Sequence, residues 1–580
     1  MVLFILVRNN YFYRYNFYAI TMTNETRKAS REATQAIERM YITMRHLFNR
    51  GFYKPMGVSG TTLREGLLQL KPEIYGSIAE DKLELNGLSY VLDRLPEGIE
   101  ECSVINLTGD EGYNKSHLKN IIPPKRRRNC YRIDNEQMNI EITRGRSDIY
   151  DVLTHLTFLF IESHKIAKRV VINDNSDISR EWKKLEEIIQ QKKISQSQLE
   201  TAFVHTANII GRTFSEVKAV HDQFATDNNP HRFLKTIFWL GKLAIEEVLE
   251  REKRLIMFSP TLRERLGHHI HGEIWANTIK EKLEQNGLLD KPIHIISANL
   301  HSVMNYLFAK QTLKDKFPND SKMQVFEFLS SPDNKIYHEK IKRHAYENGM
   351  EEIKDTSGTN IDVQIFDLSR INTAESFLSK PIEIAKDHVL IVMDYAFGEQ
   401  AFECMDELLK PYKLAEEGPK NLDVCSISIM GKAGILTGRK GDIMVPSAHI
   451  FEGTSDNYPF TNELTVESFK HKHLKAFGGH MISVLGTSLQ NKQMLTYFKD
   501  SSWKVVGLEM EGAHYQKAIQ AASKIRKSIR ENVKTRYAYY ASDNPLETGS
   551  TLASGGLGLT GVEPTYLITE RILEQILLEN

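Results

Sequence analysis

Cysteine is scarce in this chain of 580 residues, and the few that occur are scattered: Cys102, Cys130, Cys404 and Cys425. None of them forms a C-x-x-C pair, which argues against a zinc ribbon and against a framework of disulfides. Dispersed cysteines of this kind are typical of proteins in a reducing compartment. We therefore expect a cytoplasmic protein.

Long apolar runs and a surplus of one charge are missing as well. No run approaches the roughly 20 apolar residues that a membrane-spanning helix needs, and the apolar stretch at residues 2–7 is too short for a signal peptide. Lysine and arginine together number 75, and so do aspartate and glutamate. Because no net charge attracts nucleic acid or anionic lipid, we expect neither nucleic acid nor a membrane as a partner.

The length of the chain predicts several domains, because a single core rarely serves more than about 300 residues. Residues 1–21 are expected to be a non-native or disordered extension ahead of a natural start at Met22. Changes in periodicity then predict an α+β region at 22–147, a helical region at 148–290, a small α/β segment at 291–380 and a catalytic domain at 381–580. Strands of the α/β segment are predicted at 293–297, 323–329 and 361–366.

The last region predicts a mixed sheet flanked by helices, so the fold class is α/β. The apolar run at 388–393 indicates a buried strand. Further strands are predicted at 424–429, 443–445, 481–485, 505–508 and 536–541, with a helix from Met510 to about residue 532.

Two acidic residues, Glu511 and Asp543, follow the last two predicted strands. In an open α/β sheet the carboxyl ends of the strands line the ligand crevice. A helical segment joins these strands, so they could lie side by side with both acids facing one pocket. One carboxylate suits a sugar diol and the other suits a leaving group that must be protonated. The pair therefore points to cleavage of a glycosidic bond.

Three short patterns stand in a fixed order in the predicted catalytic domain. They are GKAG at 431–434 followed by GDIMVP at 441–446, then LEMEGA at 508–513, then SD at 542–543. Together they resemble the nucleoside phosphorylase and nucleosidase superfamily, which includes purine nucleoside phosphorylases, methylthioadenosine nucleosidases and AMP nucleosidase. The resemblance covers residues 381–580, and the long region before it is reminiscent of AMP nucleosidase. It implies a purine nucleoside or nucleotide as substrate, no resident cofactor and a homo-oligomer.

The resemblance implies that Glu511 binds the ribose hydroxyls. An ionised carboxylate can accept both hydrogen bonds of a vicinal diol, and these bonds strengthen as positive charge develops on the sugar. Met510 would supply an apolar surface under the sugar, and Glu509 belongs to the same motif. Alternatively, the two glutamates only begin a helix, where negative charge is favourable.

The same matching makes Asp543 the acid that protonates or hydrogen-bonds the purine, with Ser542 orienting it. An aspartate here suits 6-aminopurines, although a slip of one residue, to Asn544, would reverse that inference. General-acid help contributes about a hundredfold to ten-thousandfold in rate. The alternative for Asp543 is a simple Asx turn at the end of a strand.

The loop at 394–400 bears on the choice between hydrolysis and phosphorolysis. Relatives that use phosphate usually place an arginine there, whereas this loop has no basic residue. Glu399 stands where nucleosidases carry a glutamate that orients water, which favours a hydrolase. It could equally be favourable charge in the first turn of the next helix. A phosphorylase that uses inorganic phosphate as co-substrate is the alternative.

Several further residues are candidates for substrate binding. Gly434 would let the main chain approach the ligand, and Lys432, where relatives carry a small residue, could reach a ligand phosphate. Hydroxyl groups at a strand end and aromatic rings on a variable loop complete the set: Thr487, Ser488, Tyr458 and Phe460. The glycine-rich stretch at 548–561 is predicted to be a mobile lid or a phosphate cradle.

Two rival interpretations complete the sequence analysis. The histidine groups at 268–271 and 471–480 lack the spacing of a metal motif, so we expect no metal. The departures at Lys432 and in the 394–400 loop also allow a non-catalytic sensor of adenine nucleotides. The leading hypothesis is hydrolysis of the N-glycosidic bond of AMP or a related purine nucleotide or nucleoside.

Overall fold

The structure is a computed structural model. It describes residues 2–172, 177–191, 193–249, 254–318, 321–381, 385–414, 418–452, 454, 456–470, 473–547 and 557–578, with side chains from residue 25 onward except that of Leu414. The chain divides into two compact units. The first comprises Met1–Ile142, Asp148–Gly267 and Ser488–Met494, and the second comprises Thr143–Ser147, His268–Thr487 and Leu495–Asn580.

The first unit is built on a six-stranded mixed sheet. Its strands are β1 (Phe52–Tyr53), β2 (Val104–Thr108), β3 (Asn120–Ile121), β4 (Cys130–Arg132), β5 (Gln137–Glu141) and β6 (Leu255–Phe258), in the order β1-β6-β2-β5-β4-β3. Strand β2 runs parallel to both β5 and β6, and the other pairs are antiparallel. Strand β6 comes from the region predicted to be helical, so the predicted boundary at 147 does not separate a sheet from a helical domain.

Nine helices accompany this sheet in the described part of the chain. They are α1 (Val2–Arg50), α2 (Val58–Leu70), α3 (Leu85–Leu92), α4 (Gly145–Val170), α5 (Arg180–Ile189), α6 (Gln196–Ile210), α7 (Phe214–Phe224), α8 (Arg232–Leu249) and α9 (Pro260–Gly267). The backbone of α1 is helical through Met22, so residues 2–21, expected to be a non-native or disordered extension, continue that helix.

A buried ion-pair cluster lies within the first unit. Arg128 donates to Asp148 at 2.7 Å and to Asp151 at 2.5 Å, and all three side chains are about 1% exposed. Arg126 adds a second contact to Asp151 at 2.9 Å. Burial by itself would raise the pKa of Asp151, but the charges of Arg126, His155 and Arg128 hold it well below its ordinary value.

The second unit contains a ten-stranded sheet. Its strands are β7 (Ile293–Ser297), β8 (Met350–Ile353), β9 (Val363–Asp367), β10 (Val389–Met393), β13 (Val424–Ile435), β14 (Ile443–Phe451), β15 (Asn457–Pro459), β16 (Ala476–Ser483), β17 (Val505–Glu509) and β18 (Lys534–Asp543). The order is β15-β14-β16-β17-β13-β7-β10-β9-β8, and β18 pairs with both β13 and β14. Strands β13, β18, β14, β16 and β17 therefore close into a ring.

Helices and a small ribbon surround this sheet. The helices are α10 (Ile270–Gln285), α11 (Leu300–Thr312), α12 (Lys322–Ser330), α13 (Lys335–Glu347), α14 (Gln400–Leu408), α15 (Lys492–Asp500), α16 (Gly512–Gln520) and α17 (Val562–Leu577). The ribbon pairs β11 (Tyr412–Leu414) with β12 (Gly418–Lys420). Among the helices of the described residues, none combines the length and the apolar character needed to cross a membrane.

Two predictions about this unit are wrong. The segment at 291–380 is not separate from the residues that follow, because β7 pairs in parallel with both β10 and β13. The strand predicted at 323–329 is helix α12. Ser321 and Gln324 form a capping box at its start, and the buried residues Val325, Phe326 and Leu329 share one helical face.

The sheet is buried on both faces, as β10 shows. Val389, Ile391 and Met393 belong to one apolar cluster, while Leu390 and Val392 belong to another. Successive side chains of a strand point to opposite faces, so a strand covered on both sides reads as a continuous apolar run. This is why the strand at 388–393 could be predicted from the sequence. The parallel strands β10, β7, β13 and β18 end at the same edge, which holds the candidate site.

Candidate active site

Glu511 lies two residues after the end of β17, at the N-cap position of α16. Its Oε1 accepts a hydrogen bond of 3.0 Å from the main-chain N–H of Gly398, and its Oε2 accepts one of 3.2 Å from the N–H of Met510. Burial raises the pKa of Glu511 to about 7, although both N–H groups and the charge of Lys432 oppose the rise. This carboxylate therefore changes charge near neutral pH.

Glu509 has a structural role. Its Oε2 accepts from the main-chain N–H of Glu511 at 2.5 Å and from that of Gly512, and its Oε1 accepts from the hydroxyl of Ser483. Burial, followed by the charge of Glu511, raises its pKa to about 8. Its oxygens thus accept hydrogen bonds from the start of α16 and from β16, and substrate binding by Glu509 stays a prediction.

Asp543 is the last residue of β18, and the structure brings it together with Ser542. The hydroxyl of Ser542 donates to Oδ1 of Asp543 and also lies 3.2 Å from the carbonyl oxygen of Ala433. Both residues are 7% exposed. The hydroxyl therefore connects the carboxylate of Asp543 to the main chain of β13.

Gly434 lies between the two carboxylate-bearing strands. It pairs with Leu508 of β17 on one side and with Asp543 of β18 on the other. The expectation that β17 and β18 pair with each other is therefore wrong, because β13 separates them. Asp543 is itself in register with Gly434, whereas Glu511 lies three residues beyond Leu508 on the antiparallel strand β17.

Lys432 stands two residues before Gly434, in register with Tyr540 of β18. Its side chain is exposed, and its charge lowers the pKa of Glu511. The ammonium group therefore acts electrostatically on that carboxylate.

A cavity of about 400 Å³ opens beside Lys432. The other residues that line it are Asn299, His301, Ser302, Asn305, Phe326, Leu329, Ser330, His338, Tyr540, Leu557, Gly558, Gly561, Val562, Thr565 and Tyr566. Neither Glu511 nor Asp543 lines this cavity, but Lys432, whose charge acts on Glu511, does. Residues 548–556 of the predicted lid lie outside the described residues.

The chemistry of this cavity suits an anion. Its described lining residues include Lys432, His301 and His338 but no carboxylate. The N-cap residues of two helices, Asn299 of α11 and Gly561 of α17, also line it, and helix N-termini carry partial positive charge.

Asn305 presents an unused polar group at the same cavity. It is 1% exposed, and its Nδ2 donates to the hydroxyl of Tyr566 at 2.8 Å. Its Oδ1 has no hydrogen-bond partner among the described residues. A buried amide oxygen without a partner is costly, and a ligand donor would satisfy it.

Glu399 is held by two residues far upstream. Arg146 donates to its Oε1 at 3.2 Å, and its main-chain N–H donates to the hydroxyl of Ser147 at 2.9 Å. The side chain is 22% exposed. Sequence reasoning missed Arg146 and Ser147, because residues some 250 positions away leave no local signal.

The remaining candidates take different places. Met510 is 6% exposed and lies beside Gly398, at 3.8 Å from where a Cβ of that residue would stand. Thr487 is buried in the second unit. Ser488 belongs to the first unit, where it hydrogen-bonds Tyr75.

The two aromatic candidates pack against the protein. Tyr458 meets Phe451 edge to face at 5.7 Å. Phe460 stacks on His449 at 5.2 Å and contacts Tyr537 at 4.6 Å. Both residues are half-buried, and Phe460 packs against the apolar core.

His449 is a buried residue near the site that the sequence did not indicate. Its Nε2 lies 3.2 Å from the hydroxyl of Tyr539, and burial lowers its pKa to about 3, so the ring is neutral. A Cβ on Gly512 would stand 2.3 Å from Cδ2 of His449. This close approach explains why glycine follows Glu511 in the motif.

Metal binding finds no support in the described part of the chain. No group of three or more histidine, cysteine, aspartate and glutamate side chains there could hold a metal ion. His471, one of the clustered histidines, lies outside the described residues.

The fold defines an α/β protein in whose larger sheet β13 separates the two carboxylate-bearing strands, β17 and β18. The chain belongs to a family of unknown function, DUF6909, whose profile matches residues 61–317 and 321–578. No curated protein matches it.

Solved structures similar to part of the chain include a futalosine hydrolase mutant of Helicobacter pylori, at 14% identity over 49% of this chain and 99% of that one, with a TM-score of 0.28. A Campylobacter jejuni 5'-methylthioadenosine/S-adenosyl homocysteine nucleosidase matches at 12% identity over 49% and 97%, with a TM-score of 0.29. A Schistosoma mansoni uridine phosphorylase in complex with thymidine matches at 14% identity over 50% and 89%, also at 0.29. At TM-scores this low, these similarities support no conclusion about fold or activity.

Proposed function

We propose that this protein hydrolyses the N-glycosidic bond of a purine nucleotide, with AMP as the first candidate, and releases the base from ribose phosphate. The observation that carries the proposal is that the two carboxylate-bearing strands, β17 and β18, both pair with β13 at Gly434. Glu511 is oriented by the N–H of Gly398, and Asp543 is oriented by the hydroxyl of Ser542.

The two carboxylates have different tasks in this reaction. Asp543 donates a proton to the departing purine, because a purine anion is a poor leaving group. Glu511 accepts hydrogen bonds from the ribose hydroxyls, which strengthen as the C1' carbon becomes oxocarbenium-like. Glu511 must be ionised for this task. Its pKa of about 7 therefore predicts that activity falls as the pH drops below neutral.

The cavity beside Lys432 supports a nucleotide rather than a nucleoside. With the ribose at Glu511, a phosphate group in the cavity would meet the ammonium of Lys432 and the N-termini of α11 and α17. A volume of about 400 Å³ is within the usual size of a ligand pocket. The proposal predicts that Lys432→Ala raises the KM for AMP about tenfold to a hundredfold and changes that for adenosine little.

Phosphorolysis is the second candidate. The same cavity could hold inorganic phosphate, and the carboxylate of Glu399 is paired with Arg146, which weakens the argument that it orients water. In this case the purine would leave only when phosphate is present. We also propose a homo-oligomer, as the resemblance implies.

Chromatography of released bases tests the proposal. The full chain is incubated with AMP, adenosine, IMP and inosine, with and without inorganic phosphate. We expect adenine from AMP in both conditions and a drop in kcat of about a hundredfold or more in Asp543→Asn. Glu531→Gln, at an exposed acid, is the control and should keep activity. Release that requires phosphate would support phosphorolysis, and binding of AMP without any release would support a nucleotide sensor.

A further inference from the structure

We propose that Arg146 and Ser147 are positioning residues for this reaction, since they hold the 396–399 loop so that the N–H of Gly398 points at Glu511. The inference rests on the proposed function. It assigns a role to residues 143–147. These residues belong to the second unit, although they lie far upstream of the rest of that unit in the chain.

Ser147 lies directly against the loop. Its hydroxyl accepts from the main-chain N–H of Glu399 at 2.9 Å. The neighbouring Gly398 has a φ of +56°, which favours glycine, and a Cβ there would stand 2.4 Å from the hydroxyl oxygen of Ser147. The serine thus fixes the turn whose preceding N–H, that of Gly398, donates to Glu511 at 3.0 Å.

The side chain of Arg146 holds the same loop. It pairs with Glu399 at 3.2 Å, with both side chains less than a quarter exposed, at 23% and 22%. Its Nε and the Oε2 of Glu399 are buried without a hydrogen-bond partner among the described residues. An ion pair kept only for stability would use these groups, because each unsatisfied one costs about 1–3 kcal/mol. The pair is therefore better explained by what it positions.

The segment and the loop are anchored by further contacts. Arg144 lies 4.9 Å from the ring centre of Phe397. Gln400 accepts from the N–H of Phe397 at 3.1 Å and donates to the carbonyl of Thr359 at 2.7 Å. Gly145, with a φ of +75°, approaches the main chain of Gln400 so closely that a Cβ would stand 3.2 Å from its nitrogen. The loop therefore has little freedom to move while residues 143–147 stay in place.

This geometry has a consequence for the charge of Glu511. The N–H of Gly398 lowers the pKa of Glu511, and so does the charge of Lys432. The other ionisable groups that act electrostatically with this carboxylate are Glu509, Tyr515 and Tyr539. Loss of the N–H donor removes a favourable contact to the charged form. The ionised form of Glu511 then predominates only at higher pH.

Kinetics of two variants test the inference. In Ser147→Ala and Arg146→Ala we expect kcat for base release to fall about tenfold or more, with the acid limb of the pH–rate profile moved up by about one unit. Arg146→Lys, which keeps the charge, should recover part of the loss. Arg526→Ala is the matched control, because Arg526 forms an ion pair with Asp406 at 2.7 Å in the same unit, with the two side chains 31% and 8% exposed. It should leave the acid limb unchanged.

A double-mutant cycle separates failure of the inference from failure of the proposed function, because it needs no activity. Thermal unfolding at pH 8 is measured for Ser147→Ala, Glu511→Gln and the double variant. Since the N–H bonds a charged acceptor, Ser147→Ala should lower the Tm less in the Glu511→Gln background. The inference is overturned if the wild type releases base while the Tm shifts are additive and the acid limb of the pH–rate profile stays in place in the variants. Coupled Tm shifts without base release overturn the proposed function.

Discussion

Replacing Glu511 by glutamine should make the protein more stable at pH 8 although it abolishes the proposed reaction. Burial raises the pKa of Glu511 from 4.5 to about 7. A carboxyl group whose pKa is raised by folding keeps its proton when the unfolded chain has lost it. Stability therefore falls as the pH rises from about 4.5 to 7 and stays lower above that window.

The magnitude follows from the size of this shift. A shift from 4.5 to about 7 corresponds to about 3 kcal/mol at about 1.4 kcal/mol per unit. This is an upper bound for the gain in Glu511→Gln, because the amide keeps only part of the hydrogen bonding to Gly398 and Met510. The gain should raise the Tm by about 2–4 °C for each kcal/mol.

The assay is thermal unfolding of the wild type and Glu511→Gln between pH 5 and pH 8. We expect the Tm of the wild type to fall more steeply over this range, so that the difference between the two proteins grows with pH. Glu531→Gln, at an exposed acid, should follow the wild type. Parallel Tm curves for the wild type and Glu511→Gln would refute the claim that this carboxylate is buried at a cost to stability.

Two further predictions concern packing and charge. Gly512→Ala should lower the free energy of unfolding by about 1–3 kcal/mol and also lower kcat, because the new Cβ would lie 2.3 Å from His449. Gly267→Ala should cost less, since a Cβ there meets no atom within 4 Å, and equal shifts of Tm would contradict the packing argument. In the first unit, Arg128→Met should lower the free energy of unfolding by about 3–5 kcal/mol, because it removes the arginine that pairs with both Asp148 and Asp151. An unchanged Tm in that variant would show that the cluster does not need this arginine.

The sequence predicted the parts of the site that depend on neighbours in the chain. The strand at 388–393 was found from its apolar run, because β10 is buried on both faces. Ser542 and Asp543 were predicted to work together, and they are in contact. In the glutamate motif, the side chain of Glu509 accepts from the N–H groups of Glu511 and Gly512 at the start of α16, as the helical alternative predicts.

Other features could not be predicted because they depend on residues distant in the chain. The apolar residues of 323–329 fit both a helical and a strand periodicity, which is why the sequence predicts a strand there. The capping box of Ser321 and Gln324 is the local signal that indicates a helix instead. The insertion of β13 between β17 and β18 depends on pairing that no local pattern reveals. The contact of Arg146 with Glu399 joins residues more than 250 positions apart in the chain.

By itself, the sequence determined which residue types stand at the strand ends and which strands are apolar enough to be buried, because both are local properties of the chain. The tertiary structure alone decided which strand ends meet. It placed Gly434 between the two carboxylate-bearing strands and Gly398 against Glu511. The physical reason is that strand order and loop position follow from packing over the whole sheet, whereas propensity and periodicity act over only a few residues.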